Sequence, residues 1–196
     1  MLTHTRVFHT GSLSLTQEPA RSATYEAIDI AKAAGAVISY DPNYRASLWS
    51  GKDEAIQFMR SLIVTADIMK VSDEELPLLT GETDPSKAAD VLQDQGVKIV
   101  AITLGADGAY IRVGKDSKLV PGFRAKAVDT TGAGDSFFGG FLYRFLASGK
   151  SLKEVTIDDA ADYARFGNAT ASLCVERRGG IPAMPKLAEV LERLKQ

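Results

Sequence analysis

The sequence predicts an α/β protein built on a mostly parallel sheet, and three observations carry that expectation. Strand-like and helix-like segments alternate along the whole chain, the pattern of a sheet covered by helices on both faces. The strand segments Ala36–Tyr40 and Lys98–Leu104 are short apolar runs, as buried parallel strands are. Turn or helix-start signals follow the strands at Asp41, Ser72, Gly105 and Gly132, at the carboxyl ends where such sheets bind ligands.

The elements follow in order. Arg6–Thr10 is an extended run that stops at Gly11. Pro19 opens a helix to about Ala34, with Ala23, Ala27, Ile30 and Ala31 at helical spacing and Gly35 as its stop. After the strand Ala36–Tyr40, Asp41-Pro42-Asn43 is a turn signal. Asp53–Thr65 is helical, with Ile56, Met59, Leu62 and Ile63 on one side, and Ile68–Val71 is the next strand. Ser72 stands three residues before Glu75, so a capping box predicts a helix from there to Gly81. Asp84-Pro85 supplies an N-cap and a first-turn proline for a helix ending near Gln95-Gly96. Lys98–Leu104 is a strand, 105–108 is a turn, and Ala109–Val113 pairs back as a hairpin strand. Lys118–Val120 and Ala125–Val128 read as further short strands. A helix opens at the glycines 132–134 and runs to Ser148, a long one covers about 154–175, and Ala188–Lys195 is the last.

Composition sets the function classes aside. Of 196 residues, 45% are hydrophobic, enough for a full core over a single domain spanning 1–196. Lys plus Arg is 23 and Asp plus Glu is 25, a net charge of −2, which disfavours nucleic acid as a partner. The single cysteine, Cys174, excludes an intrachain disulfide and a cysteine-based zinc site. The two histidines, His4 and His9, offer no His-rich metal site. The apolar runs are too short to span a bilayer and the N-terminus lacks a secretory h-region, so a cytoplasmic protein without a membrane partner is expected.

The most informative segment is Asp129-Thr130-Thr131-Gly132-Ala133-Gly134-Asp135-Ser136-Phe137-Phe138-Gly139-Gly140-Phe141. Small residues leading into an apolar helix present backbone N–H groups that have no intrahelical acceptor, at the positive end of the helix dipole. Such a turn suits an incoming phosphate, and Asp135 in the first turn can take a proton from an attacking hydroxyl. A plain strand-to-helix turn with an acidic first-turn residue explains the same letters. A Walker A loop is excluded because no lysine follows the glycines, and a dinucleotide fingerprint because its third glycine is Phe137 here.

The whole stretch resembles the C-terminal signature of the ribokinase/PfkB family of carbohydrate kinases. Other segments support it in order: Tyr40-Asp41-Pro42-Asn43-Tyr44-Arg45 with Leu48-Trp49, then Met69-Lys70-Val71-Ser72-Asp73-Glu74-Glu75-Leu76. Both look like the fructokinase branch. Thr103-Leu104-Gly105-Ala106-Asp107-Gly108-Ala109 is similar to the family's nucleotide loop, and Asn168 and Arg177-Arg178-Gly179-Gly180-Ile181-Pro182 match features of its tail.

The resemblance implies a ribokinase-like three-layer αβα sandwich and transfer of the γ-phosphate of ATP to a sugar hydroxyl. Fructose is the implied acceptor, and a keto-deoxy sugar acid such as 2-keto-3-deoxygluconate the alternative. Asp135 would be the catalytic base, with Gly132, Ala133 and Gly134 forming the anion hole. Thr103, Gly105, Ala106, Gly108 and Asn168 would serve ATP, with Ser72 toward the phosphates, although the family has asparagine where this chain has Ser72. Asn43 and Arg45 would face the substrate, and Glu75 would organise magnesium. Asp129 and the carbonyl of Thr131, completed by Cys174, Arg177, Gly179 and Ala183, would hold a monovalent cation, potassium. Family members are longer at the N-terminus, so the resemblance also implies a partial kinase domain without the first strands and lid. The expectation for the chain alone is then poor solubility or self-association, a homodimer included, and little sugar kinase activity. A nucleotide-binding domain that phosphorylates nothing is the reading from another class.

Overall fold

A computed structural model describes residues 2–196, which form two compact units, the first ending at Ile102 and the second covering Thr103–Gln196. In the first unit the strands are β1 (Val7–Gly11), β2 (Val37–Asp41), β3 (Ile68–Ser72) and β4 (Ile99–Thr103), side by side in chain order. β1 pairs parallel with β2, Val7 opposite Val37 through Gly11 opposite Asp41, and β2 pairs parallel with β3, Tyr40 opposite Met69. Parallel pairing requires crossovers. α1 (Ala20–Ala33) and α2 (Lys52–Ile63) provide them, and α3 (Leu76–Thr80) and α4 (Pro85–Asp94) follow between β3 and β4 in the chain.

The burial of β2, β3 and β4 is nearly continuous, the mark of strands covered on both faces. β1, at the edge, buries only Thr10 fully. Asp84 caps α4 by accepting the Lys87 N–H at 3.0 Å, as the sequence predicts.

Two expectations change in this unit. The buried side of α1 is Ile28 and Ala31, while Ala23 is exposed and Ile30 is 40% exposed, so the stripe lies about one position from the predicted one. The helix predicted from Ser72 begins only at Leu76. Ser72 and Glu75 do pair, but residues 73–75 are a turn, and the other Glu75 carboxylate oxygen accepts the Tyr44 N–H of the loop after β2.

The second unit contains the hairpin β5 (Ala109–Val113) and β6 (Asp116–Val120), antiparallel with Ala109 opposite Val120. Three helices follow, α5 (Ala133–Ser148), α6 (Ile157–Cys174) and α7 (Leu187–Arg193). α5 is apolar nearly all round its buried side, with Phe137, Phe138, Phe141 and Phe145 inside. Phe141 meets Tyr163 of α6 edge-to-face at 5.6 Å, a favoured ring geometry. That packing fixes α5 and so the turn at its N-terminus. The strand predicted at Ala125–Val128 does not form. These residues are exposed, and the Val128 and Asp129 N–H groups both donate to the Val175 carbonyl instead of to a neighbouring strand. No helix among the described residues is long and apolar enough to cross a membrane.

Candidate functional site

In the second unit, the candidate site is the turn before α5. Gly132, the N-cap, has φ +80°, a left-handed conformation that a side chain disfavours. A methyl group there would also lie 3.2 Å from the Gly180 Cα. Ser136 N–H donates back to the Gly132 carbonyl at 2.8 Å and closes the first helical turn.

The Ala133 N–H donates to the Thr130 carbonyl at 3.1 Å, so this amide of the predicted anion hole is already engaged. The amides of Gly132, Gly134 and Asp135 have no acceptor among the described residues. The Asp135 side chain is exposed and makes no hydrogen bond or ion pair with any described residue. An unpaired carboxylate therefore stands beside three unpaired donors at a helix N-terminus, where negative charge is stabilised.

Asp129 holds this turn from behind. One carboxylate oxygen accepts the Thr131 N–H at 2.9 Å and the other the Gly179 N–H at 2.8 Å. These amides, Gly179 foremost, hold its carboxyl down to about 2. Cys174 is buried, and its thiol donates weakly to the Thr131 carbonyl at 3.8 Å. The carbonyls of Thr131, Arg177, Gly179 and Ala183 accept no backbone N–H among the described residues, whereas that of Cys174 takes the Arg177 N–H at 3.1 Å. An ionised carboxylate with uncommitted carbonyls on two loops tied together is a donor set of the right chemistry for a hard monovalent cation. Cys174 fits least well.

The predicted nucleotide loop is also in this unit. Gly105–Asp107 is a single 3-10 turn, exposed at its tip, and Leu104 N–H closes it on the Gly108 carbonyl at 2.9 Å. Asn168, 6% exposed on α6, donates its amide to the carbonyls of Val120 and Pro121 at 3.0 and 3.1 Å. It braces the segment after β6 rather than presenting its amide to open space.

In the first unit the predicted residues meet at the carboxyl ends of β2 and β3. Glu75 is 8% exposed. It accepts the Tyr44 N–H at 2.8 Å on one oxygen, and the Ser72 N–H and hydroxyl at 2.9 and 2.8 Å on the other. Three of a carboxylate's roughly four acceptor positions are thus filled by protein. Arg45 is exposed, its guanidinium bonded to the neighbouring Tyr44 carbonyl at 3.0 Å. Asn43 has φ +49°, the one positive φ among the described non-glycine residues, and its N–H donates to Asp41 at 3.1 Å.

The sequence reading missed Lys70. It is 6% exposed, and its ammonium lies 3.1 Å from Asp41, itself 4% exposed. Its signal was present: a lysine inside the apolar strand Ile68-Met69-Lys70-Val71 requires a buried counter-charge.

Comparison with known proteins bears on this arrangement. The family model described as "pfkB family carbohydrate kinase" matches residues 2–187. Fructokinase-2 of Solanum habrochaites is 41% identical over 197 residues, covering 97% of this chain and 58% of that protein. The chain thus spans little more than half the length of the curated relatives it matches. A fructokinase structure from Vibrio cholerae O395 in a fructose-, ADP- and calcium-bound form superposes with a TM-score of 0.89 at 32% identity, over 96% of this chain and 60% of that one. A double mutant of the same fructokinase, in a fructose-, ADP- and potassium-bound form, gives 0.89 and 32%, over 97% and 60%. The fold is accordingly the ribokinase-like α/β class. With a family match along nearly its whole length, the chain belongs to the pfkB family of carbohydrate kinases.

Proposed function

We propose that the chain is the nucleotide-binding and catalytic part of an ATP-dependent sugar kinase of the cytoplasm, with fructose as acceptor. The observation that carries this is the unpartnered Asp135 carboxylate beside the unpaired amides of Gly132, Gly134 and Asp135. Phosphoryl transfer asks a protein mainly for positioning and charge stabilisation. Asp135 takes the proton of the sugar hydroxyl as its oxygen forms a bond to the γ-phosphorus. The bond to the bridging oxygen breaks, ADP leaves, and the amides carry the charge on the transferring oxygens. The turn at 105–108 serves ATP. Asn43 and Arg45 serve the substrate, on a loop that Asp41 and Glu75 hold in place.

Magnesium supplies charge neutralisation to the nucleotide's phosphates, and Glu75, with most of its acceptors taken, fits a brace of its own loop better than a direct ligand. A potassium ion would be held by Asp129 and the carbonyls of Thr131, Arg177, Gly179 and Ala183, and would bias the turn's dipoles. Fructose is preferred to 2-keto-3-deoxygluconate because fructokinases recur among both the sequence and the structural relatives.

The second reading is a domain that binds nucleotide without transferring phosphate. A coupled assay of ADP release with fructose, 2-keto-3-deoxygluconate or neither, run alongside calorimetric titration with ATP, separates the readings. Fructose-dependent ADP supports the kinase. ATP binding with no acceptor-dependent ADP supports the second reading, and no ATP binding removes both.

A further inference from the structure

We propose that Gly122 and Asn168 are positioning residues for the turn at 105–108: they set its conformation through backbone contact and so control nucleotide affinity. The proposal rests on the reading of that turn as the ATP site.

The observation is a mutual steric fit between two short segments of the second unit. Gly108 is buried with φ +102°. A methyl group on it would lie 2.1 Å from the Val120 carbonyl oxygen and 2.5 Å from the Gly122 nitrogen. A methyl group on Gly122 would in turn lie 2.4 Å from the Ala106 carbonyl oxygen and 3.3 Å from the Gly108 nitrogen. Every one of these neighbours is backbone, so no side chain can rotate away to make room. The Gly122 N–H also donates to the Asp107 carbonyl at 3.3 Å, so the two segments are bonded as well as apposed.

Contact alone would let the 120–122 segment yield if the turn pushed on it. Asn168 opposes that. Its side-chain amide, buried on α6, donates to two successive carbonyls of the segment, Val120 and Pro121. The chain of support runs from α6, through one amide, to the backbone of 120–122, and from there to the carbonyls of Ala106 and Asp107. The tip of the turn, Gly105–Asp107, is exposed, so its support comes from the 120–122 segment behind it.

A side chain at 122 must move Ala106 by about an ångström to restore an ordinary contact. A misplacement of that size costs roughly 10²-fold in rate where reacting atoms must align, and for nucleotide binding we expect a smaller loss, roughly tenfold, in ATP and ADP affinity for Gly122→Ala. Asn168→Asp removes the donors and turns a carboxylate toward two carbonyls, so it should act in the same direction. Asn168→Gln keeps the donors and should recover part of the loss. Gly51→Ala, in open space in the first unit, is the control and should bind as the unaltered chain does.

The experiment is isothermal titration of each variant with ATP and ADP, paired with amide hydrogen exchange and a thermal melt. Weakened affinity in a folded Gly122→Ala protein, with faster exchange confined to residues 104–108 and 120–122, supports the proposal. A purely structural role would lower the melting temperature and leave affinity in the folded protein unchanged, which overturns it. Should Gly122→Ala fail to fold, Asn168→Asp against Asn168→Gln decides on the same two readouts. Unaltered chain that binds neither nucleotide overturns the reading of the turn and the proposal with it; tight binding by the unaltered chain and by both variants overturns the proposal alone.

Discussion

The carboxylates before α5 and those at the ends of β2 and β3 are handled in opposite ways. Asp135 is exposed and has no partner among the described residues. Glu75 and Asp41 are buried, and each is bonded: Glu75 to Tyr44 and Ser72, Asp41 to Lys70 and Asn43. A group that must accept a proton from a substrate needs free acceptors and access. A group that must hold a loop in an unusual conformation needs the reverse. On the proposed function, the difference separates a residue assigned to chemistry from residues that shape the chain around it, although sequence motifs mark both with the same letters.

The largest effect expected from this contrast is at Asp135. In a complemented or full-length version, Asp135→Asn removes the proton acceptor and keeps the turn's amides, so on the proposed function fructose phosphorylation should fall by roughly 10²–10⁴-fold while ATP affinity stays close to that of the unaltered protein. Steady-state kinetics with a parallel nucleotide titration check it. Turnover near normal would erase the distinction, because a free carboxylate would then be no more catalytic than a buried one.

At the other pole, Lys70→Met strands the Asp41 charge in the interior, and loss of one partner of a buried pair costs about 3–5 kcal/mol of folding stability. Urea unfolding measures it. The double change with Asp41→Asn removes the unpaired charge and should return much of the loss. A single-variant loss below about 1 kcal/mol would be the value of an exposed ion pair, and the burial argument would fail.

Glu75→Gln comes next. Glutamine keeps one acceptor oxygen and replaces the other with a donor, which then faces Tyr44 N–H or the Ser72 N–H and hydroxyl. A buried donor left without an acceptor costs about 1–3 kcal/mol. Hydrogen exchange should quicken at Tyr44 and Ser72 in particular. Exchange that quickens evenly across the first unit would mean that Glu75 stabilises the fold at large and not this loop.

What could be read in the sequence divides along the same line. The turn before α5 was legible because its chemistry is local: glycines, an acidic first-turn residue and an apolar helix stand next to one another in the chain. So was the Asp84 cap, a contact across three residues. The Lys70–Asp41 pair was not, because it joins positions 29 apart that meet only when β2 and β3 lie side by side. Ser72 and Glu75 were recognised as a pair, yet the helix starts only at Leu76, and the second Glu75 oxygen takes a distant amide, Tyr44, that the local sequence does not announce. Ala125–Val128 has strand-like residues, but a strand needs a neighbour to receive its amides, and here the Val175 carbonyl takes that of Val128. The fit of Gly122 against Ala106 depends on backbone approach, which a Pro-Gly pair after a strand does not announce.

The smallest effect expected is a pH dependence at Asp129, which falls between the two kinds of carboxylate: hydrogen-bonded on both oxygens, yet at the surface. Its carboxyl is held down to about 2, against an ordinary value of 3.8, by the amides of Gly179 and Thr131. A depressed value in the folded state means that the ionised form supports the fold. The contribution is complete above the ordinary value and is lost as pH falls from about 4 toward 2. Asp159 is also held near 2, chiefly by Lys150 and then by Thr156, so total stability declines in the same window from two places. Asp129→Asn isolates one of them. The stability difference between the unaltered chain and this variant should be constant from neutral pH to about 5 and should shrink below pH 4, together with protection of the Gly179 amide. The change should be slight, because solvent screens an exposed carboxylate. A difference that stays level down to pH 2 would mean that the amides bind the Asp129 oxygens equally well with the proton on, and the carboxylate would then belong with the plain turn residues rather than with Glu75 and Asp41.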